Sequence, residues 1–211
     1  MLGRSASLPK GLGGVVRDAG SLHHYSVSEG KPRNEIDSAI SWLSEVEDQA
    51  KNSSLNKALL AQLEGADDCH GLPEALIHPD PVMKNLIETP KNGNVLIDWT
   101  GAGRGPRVAS LAVLIWSGAL VKGSWSPQNV DAVVSGYRKH IQLETEELER
   151  LSGAMMIRQL VFAAWRYRFA IISGQAPSGT EWWWPSEALT QAISARARTA
   201  FGTKARQKPK T

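Results

Sequence analysis

The segment from Leu76 to Pro106 carries the strongest strand and turn signals in the chain. The dipeptide Asn92-Gly93 strongly favours a tight turn between antiparallel strands, and the short apolar runs NLIET and NVLIDW flank it. The run ALIH, which begins at Ala75, is also of strand length. We therefore predict a small antiparallel hairpin in this segment, followed by a flexible loop at GAGRGP.

Apolar residues on both sides of the hairpin recur at steps of three and four, the spacing typical of amphipathic helices. This spacing predicts helices over 34–46, 54–64, 108–120 and 127–141, a long helix over 144–172, and a last helix from Pro185 to about Phe201. The predicted fold class is therefore mainly α (α+β), with the hairpin inserted between helices.

The composition divides the chain into three parts. Residues 1–32 are rich in Gly, Ser and Pro and are predicted to be flexible or partly helical, 33–202 form the folded domain, and 203–211 form a basic, disordered tail. From Leu151 onward, nine Lys and Arg residues stand against two Asp and Glu residues, a net charge of +7. Polyanion binding by this basic end is an alternative function, although no nucleic-acid-binding motif accompanies it.

The composition also indicates a cellular compartment. One cysteine, Cys69, excludes an internal disulfide, as is usual in a reducing cytosol. No apolar run reaches the roughly 20 residues that span a bilayer, and the N-terminus lacks the apolar core of a secretory signal. We therefore expect a globular cytoplasmic protein with no membrane partner.

Four polar residues lie at the ends of the predicted strands: His78, Asp80, Asn85 and Asp98. The loop HPDPVMKN separates Asp80 from Asn85 by five residues, and the returning strand ends at Asp98, so the three side chains can converge. Oxygen ligands of this kind suit Mg²⁺, and a remaining carboxylate can accept a proton from a hydroxyl group. The alternative is that Asp and Asn only stabilise turns and that His78 is a core histidine.

The pattern His-x-Asp, four residues, Asn, then a hairpin and Ile-Asp-Trp resembles the aminoglycoside phosphotransferase and choline kinase-like family, relatives of protein kinases. This resemblance implies a protein-kinase-like C-terminal lobe over 33–202. It also implies that Asp80 is the catalytic base, that Asn85 and Asp98 hold Mg²⁺ on the phosphates of ATP, and that His78 is structural. The chain departs from the family at Pro79, where glycine is usual, and proline fixes φ and removes an N–H group.

By the same resemblance, the helices after Arg107 shape a pocket for a small hydroxyl compound. The family acts on amino sugars, amino alcohols and other small hydroxyl acceptors, and the sequence does not choose among them. Three consecutive aromatic residues are candidates for lining this pocket, with ordinary packing as the alternative: Trp182, Trp183 and Trp184.

The resemblance covers only the C-terminal lobe of the family. The residues before His78 indicate helix and loop instead of the β-rich N-terminal lobe that carries the nucleotide-binding lysine. We therefore expect an ATP-dependent phosphotransferase fragment that lacks the nucleotide-binding lobe, or one half of a split enzyme, and expect the isolated chain to be inactive. A missing lobe or partner chain would complete it. The alternative is a non-catalytic binding or regulatory module built on the same lobe.

Overall fold

Helices form most of the described chain. The computed structural model describes residues 35–49, 53–89, 93–100, 102–121 and 124–202, so the predicted segments 1–32 and 203–211 lie outside the described residues. The described helices are α1 (Glu35–Glu45), α2 (Ser53–Glu64), α3 (Arg107–Ala119), α4 (Pro127–Tyr137), α5 (Thr145–Glu149), α6 (Leu151–Ile172) and α7 (Glu187–Gly202), with short 3-10 turns at Glu47–Gln49 and Met83–Asn85. The described strands are β1 (Glu74–Ile77), β2 (Leu86–Thr89), β3 (Gly93–Leu96), β4 (Gly103–Pro106), β5 (Leu120–Val121) and β6 (Ser124–Trp125).

Helix α6 is the central element of the core, because both hydrophobic clusters of the described residues use it. Its first half packs with α3, α4 and α7 through buried residues such as Leu111, Val133 and Met155. Its second half packs with α1 and α2 through residues such as Leu43 and Tyr167. At 22 residues, α6 is about 33 Å long, so it connects the two clusters.

The long helix predicted over 144–172 is interrupted at Arg150, so that prediction was wrong in this detail. A capping box joins Glu144 and Glu147 at the start of α5, and Arg150 then has φ −87° and ψ 1° before α6 begins. The Arg150 guanidinium reaches back to Asp67, at 2.7 Å from Nε to Oδ2. This long-range ion pair lies at the break, and neither partner's local sequence indicates it.

The predicted hairpin is confirmed, because β2 pairs antiparallel with β3 and Leu86 lies opposite Leu96. Its turn, residues 90–92, lies outside the described residues.

The prediction of a flexible loop at GAGRGP was wrong for Gly103–Pro106, which form β4 and pair with β1. A Cβ at Gly105 would lie 2.7 Å from Cδ1 of the buried Ile77, so glycine leaves room for that side chain. The short β5–β6 pair after α3 was not predicted.

Smaller boundary differences concern α4 and α7. Helix α4 ends at Tyr137, and the chain then turns so that the Ile141 amide bonds to the Tyr137 carbonyl at 3.1 Å. Helix α7 begins at Glu187, two residues after Pro185. Among the described residues, no helix is long and apolar enough to cross a membrane. The architecture is mainly helical with short antiparallel strands, as the sequence predicted.

Candidate active site

His78 connects the loop after β1 to the end of β3 and to α3. Its side chain is 2% exposed, and Nδ1 accepts a hydrogen bond from the Asp80 amide at 3.0 Å. The ring proton therefore lies on Nε2, which donates to the Ile97 carbonyl at 2.9 Å. The Ser110 hydroxyl donates to the His78 carbonyl at 3.1 Å, and the Trp99 ring packs edge-on at 4.7 Å. A single buried ring thus fixes the separation of two chain segments.

Asp80 and Asn85 face each other across the loop. The Asn85 side-chain amide donates to the Asp80 carbonyl at 2.8 Å and lies 3.4 Å from the Asp80 Oδ2 atom. Two backbone bonds tighten the loop, from the Val82 amide to the Asp80 carbonyl and from the Asn85 amide to the Val82 carbonyl. Because its nitrogen is used in this way, Asn85 keeps its amide oxygen as a potential ligand.

Asp98 follows β3 in a left-handed backbone conformation, with φ of 62°. Residues other than glycine adopt this conformation rarely, and in structures it is frequent at functional positions. The preceding residue, Ile97, donates its amide hydrogen to the Asn85 carbonyl at 2.8 Å and accepts from His78. Asp98 is exposed, and no hydrogen bond joins its carboxylate to another described residue. Asp98 therefore directly follows Ile97, the residue at which the end of β3 contacts the His78–Asn85 loop.

Arg158, on α6, forms an ion pair with Asp80 that the sequence did not indicate. The distance between its Nη2 atom and Asp80 Oδ1 is 2.7 Å, and the two side chains are 30% and 33% exposed. The guanidinium also lies over the Phe162 ring, 5.9 Å from the centroid. Because 78 residues separate Arg158 from Asp80, no local spacing could have revealed this pair.

The three consecutive tryptophans occupy different environments. Trp182 is 80% exposed and packs against Phe162, with ring centroids 6.1 Å apart. Trp183 is buried in the cluster formed with α1, α2 and α6, and Trp184 packs against it. Trp183 also borders a cleft with Arg166 at the end of α6. Their role in lining an acceptor pocket stays a prediction.

A buried ion pair between Arg107 and Glu147 joins the start of α3 to α5. The Glu147 side chain is fully buried and receives two hydrogen bonds from Arg107, at 2.8 Å from Nε and 2.7 Å from Nη2. Glu147 also accepts from the Glu144 amide at 2.8 Å. These bonds raise the pKa of Arg107, so its charge is permanent. The pair fixes the start of α3, three residues before Ser110, to α5.

The donor set suits a magnesium ion that is shared with phosphate. Within the described ranges, no group of three or more His, Cys, Asp or Glu side chains could hold a metal ion alone. Mg²⁺ is usually bound by one or two protein side chains plus waters and substrate phosphates. The exposed Asp98 carboxylate and the Asn85 amide oxygen therefore fit an Mg²⁺–nucleotide complex better than a closed metal centre.

Several solved structures have a similar fold. The choline/ethanolamine kinase family protein from Mesorhizobium loti is 18% identical and has a TM-score of 0.54, with 91% of this chain and 63% of that chain covered. Choline kinase LicA from Streptococcus pneumoniae is 15% identical and has a TM-score of 0.53, with 90% and 63% covered. An aminoglycoside-3'-phosphotransferase of type VIII is 21% identical and has a TM-score of 0.54, with 71% and 60% covered.

These likenesses establish a kinase-like phosphotransferase fold, and the chain spans about three fifths of the length of the structures it matches. No curated protein matches the sequence significantly. The sequence does match the family described as "Phosphotransferase enzyme family" over residues 7–149, which include His78, Asp80, Asn85 and Asp98. The chain therefore belongs to this phosphotransferase enzyme family.

Proposed function

We propose that this chain provides the catalytic and metal-binding part of an ATP-dependent phosphotransferase that acts on a hydroxyl group of a small molecule. The observation that carries the proposal is the hydrogen-bonded link between the His78–Asn85 loop and Ile97, the residue before Asp98. This link brings a candidate base and two candidate metal ligands into one connected unit. Such a unit supplies the positioning on which phosphoryl transfer depends.

In the proposed reaction, Asp80 accepts the proton of the acceptor hydroxyl. The oxygen forms a bond to the γ-phosphorus of ATP, while the bond to the bridging oxygen breaks and its electron pair leaves with ADP. Asn85 and Asp98 would hold the Mg²⁺, whose charge offsets that of the phosphate oxygens. Asn85 also orients Asp80 through the bond to its carbonyl. His78 keeps the two segments at a fixed separation.

The nucleotide-covering part would come from residues outside the described chain or from a partner polypeptide. Support comes from coverage, since the matched structures are longer and this chain spans about three fifths of them. The description of one neighbour, LicA, names a complex with AMP. We expect the isolated chain to bind ATP weakly, because its residues would supply the metal ligands of the nucleotide site but not the part that covers the nucleotide.

A binding experiment on the isolated chain tests the metal assignment. Mn²⁺ replaces Mg²⁺ in a complex with ATP at millimolar concentration, and paramagnetic broadening of backbone amide signals is measured by NMR. We expect selective broadening at Asn85 and Asp98, which Asp98→Asn removes and the distant variant Asp48→Asn preserves. Broadening elsewhere, or none at all, would contradict the assignment.

A transfer experiment tests the role of Asp80. The chain is assayed alone and together with a nucleotide-binding lobe supplied by a relative, and acceptor phosphorylation is followed by phosphorus NMR. Where transfer occurs, Asp80→Asn should lower its rate by about 10² to 10⁴, the usual contribution of a general base. A variant that retains the full rate would refute the role of Asp80. Absence of transfer even with the added lobe would favour the alternative, a non-catalytic binding or regulatory module on the same lobe.

A further inference from the structure

The two carboxylate oxygens of Asp80 have different hydrogen-bond partners. Oδ1 accepts a charge-assisted bond from Nη2 of Arg158 at 2.7 Å. Oδ2 lies 3.4 Å from the side-chain nitrogen of Asn85, a long contact, since that nitrogen donates its shorter bond, at 2.8 Å, to the Asp80 carbonyl. Within the described residues, Oδ1 is therefore strongly bound, whereas Oδ2 keeps acceptor capacity on the side of Asn85.

The backbone of Asp80 is fixed independently of its carboxylate. The Asp80 amide donates to Nδ1 of His78 at 3.0 Å, and the Asp80 carbonyl accepts from the Val82 amide at 2.8 Å as well as from Asn85. None of these bonds restricts rotation of the Asp80 side chain, which is 33% exposed. Among the residues that the structure describes, the Arg158 contact is thus the short bond that selects one orientation of the carboxylate.

Arg158 lies on a part of α6 that is held on both sides of it. The preceding residue, Ile157, packs against both hydrophobic clusters, and the following residue, Gln159, is 8% exposed. The Gln159 side chain donates to the Thr190 hydroxyl at 2.6 Å, so it joins α6 to α7. The Arg158 contact therefore connects the Asp80 carboxylate to the core of the domain and not only to its own loop.

A ring on the same helix restricts the Arg158 guanidinium. Phe162 lies one helical turn further along α6, and the distance from Cζ of Arg158 to the centroid of its ring is 5.9 Å. A guanidinium that already stacks on a ring loses less rotamer freedom when it forms an ion pair. Phe162 therefore helps to hold the guanidinium where it contacts Asp80.

We propose that Arg158 is a positioning residue for the candidate base. It binds Oδ1 of Asp80 and thereby presents Oδ2, on the side of the candidate metal ligand Asn85, to the acceptor hydroxyl. In the transfer step, the O–H bond of the acceptor breaks and an O–H bond forms at Oδ2, while the acceptor oxygen bonds to the γ-phosphorus and ADP leaves. Oδ1 stays bonded to the guanidinium throughout. This inference rests on the proposed function and adds to it a residue that acts through Asp80.

Side-chain NMR of the full 211-residue chain tests the positioning without nucleotide or metal. Three-bond couplings from Cγ of Asp80 to its backbone nitrogen and carbonyl carbon report its χ1 angle. We expect the values of a single rotamer in the unmodified chain and rotamer-averaged values in Arg158→Gln. The matched control is Arg168→Gln, which should leave the couplings unchanged, because Arg168 also lies on α6 but forms its ion pair with Glu45.

Transfer kinetics, measured with a nucleotide-binding lobe supplied by a relative, show whether the positioning matters to the reaction. Arg158→Gln should lower kcat by about 10²-fold, the usual effect of misplacing a reacting group by about 1 Å, with KM for acceptor and ATP unchanged. Arg158→Lys should recover part of this loss, because an ammonium group keeps the charge and can donate one bond. Arg168→Gln should retain the full kcat.

A double-mutant cycle separates positioning from a direct contact between Arg158 and the substrate. In the Asp80→Asn chain, Arg158→Gln should lower kcat by at most about two-fold, because residues that act as one unit are not additive. A full loss in that background, or a raised KM with unchanged kcat, would show that Arg158 acts on the substrate and would overturn the inference.

The remaining outcomes also decide the inference. Averaged Asp80 couplings in the unmodified chain, couplings unchanged in Arg158→Gln, or a full kcat in that variant would overturn it. Failure of the proposed function is distinguishable, because the couplings require no transfer. A full rate in Asp80→Asn, or no transfer by any chain, would refute Asp80 as the base and with it the proton transfer to Oδ2. A single Asp80 rotamer that Arg158→Gln releases would then still establish that Arg158 orients the carboxylate.

Discussion

Replacement of His78 by alanine should both destabilise the fold and loosen the candidate site. The substitution removes two hydrogen bonds, to the Asp80 amide and to the Ile97 carbonyl, and a ring that is 2% exposed and packs on Trp99. Since His78 links the loop that carries Asp80 to the strand end before Asp98, both segments lose their shared anchor.

The expected magnitude follows from these contacts. Each lost hydrogen bond costs about 1 kcal/mol, and the two partner groups are left without their bond in a half-buried setting. The missing ring adds about 1 kcal/mol of packing loss. The free energy of unfolding should therefore fall by about 3 kcal/mol. With a urea m-value of about 2 kcal/mol per molar, the unfolding midpoint should fall by about 1.5 M.

Urea unfolding, followed by circular dichroism and tryptophan fluorescence, measures this loss. Hydrogen exchange of the Asp80 amide gives a local readout, because that amide should exchange faster once its acceptor is gone. His70→Ala is the matched control, since the His70 side chain is exposed and its backbone atoms make the hydrogen bonds. If the free energy of unfolding of His78→Ala lies within about 0.5 kcal/mol of that of the control, and the Asp80 amide exchanges equally slowly in both, His78 does not anchor the two segments.

Three further predictions concern the scaffold. The hydrogen bonds from Arg150 lower the pKa of the Asp67 carboxyl. As pH falls, the unfolded chain therefore binds a proton at Asp67 before the folded chain does, and the stability that this carboxylate contributes is lost below about pH 4. Asp67→Asn should flatten the acid limb of a stability–pH curve, by about 0.5–1 kcal/mol after solvent screening. Burial raises the pKa of the Cys69 thiol to about 12, so a disulfide reagent at about pH 8 should label it at least about 100-fold faster in concentrated guanidinium than in the native state; equal rates would contradict its burial. Gly174 has φ of 71° after α6, so Gly174→Ala should cost about 1 kcal/mol in thermal unfolding, whereas Gly202→Ala, which meets open space at ordinary φ, should be nearly neutral.

The sequence was sufficient for features that depend on local spacing. The three- and four-residue periodicity located the helices, because each helix buries one face and the period of that face is fixed by backbone geometry. Asn92-Gly93 indicated the β2–β3 hairpin, since this dipeptide favours a turn between antiparallel strands, and Gly93 is the first residue of β3, opposite Thr89. The spacing of His78, Asp80, Asn85 and Asp98 indicated the family, which the match over residues 7–149 confirms. The chemical roles of these four residues stay predictions.

Only the tertiary structure decided how distant segments meet. Gly103–Pro106 has the composition of a loop, yet it is a strand because β1 offers it a hydrogen-bonding edge. Trp182 and Trp183 are identical in type and adjacent in sequence, but one is 80% exposed and the other is 8% exposed. Arg158 is one of several arginines on α6, and only the packing of that helix brings it to Asp80. Local propensities act over a few residues, whereas these contacts join segments tens of residues apart and form only when the core assembles around α6.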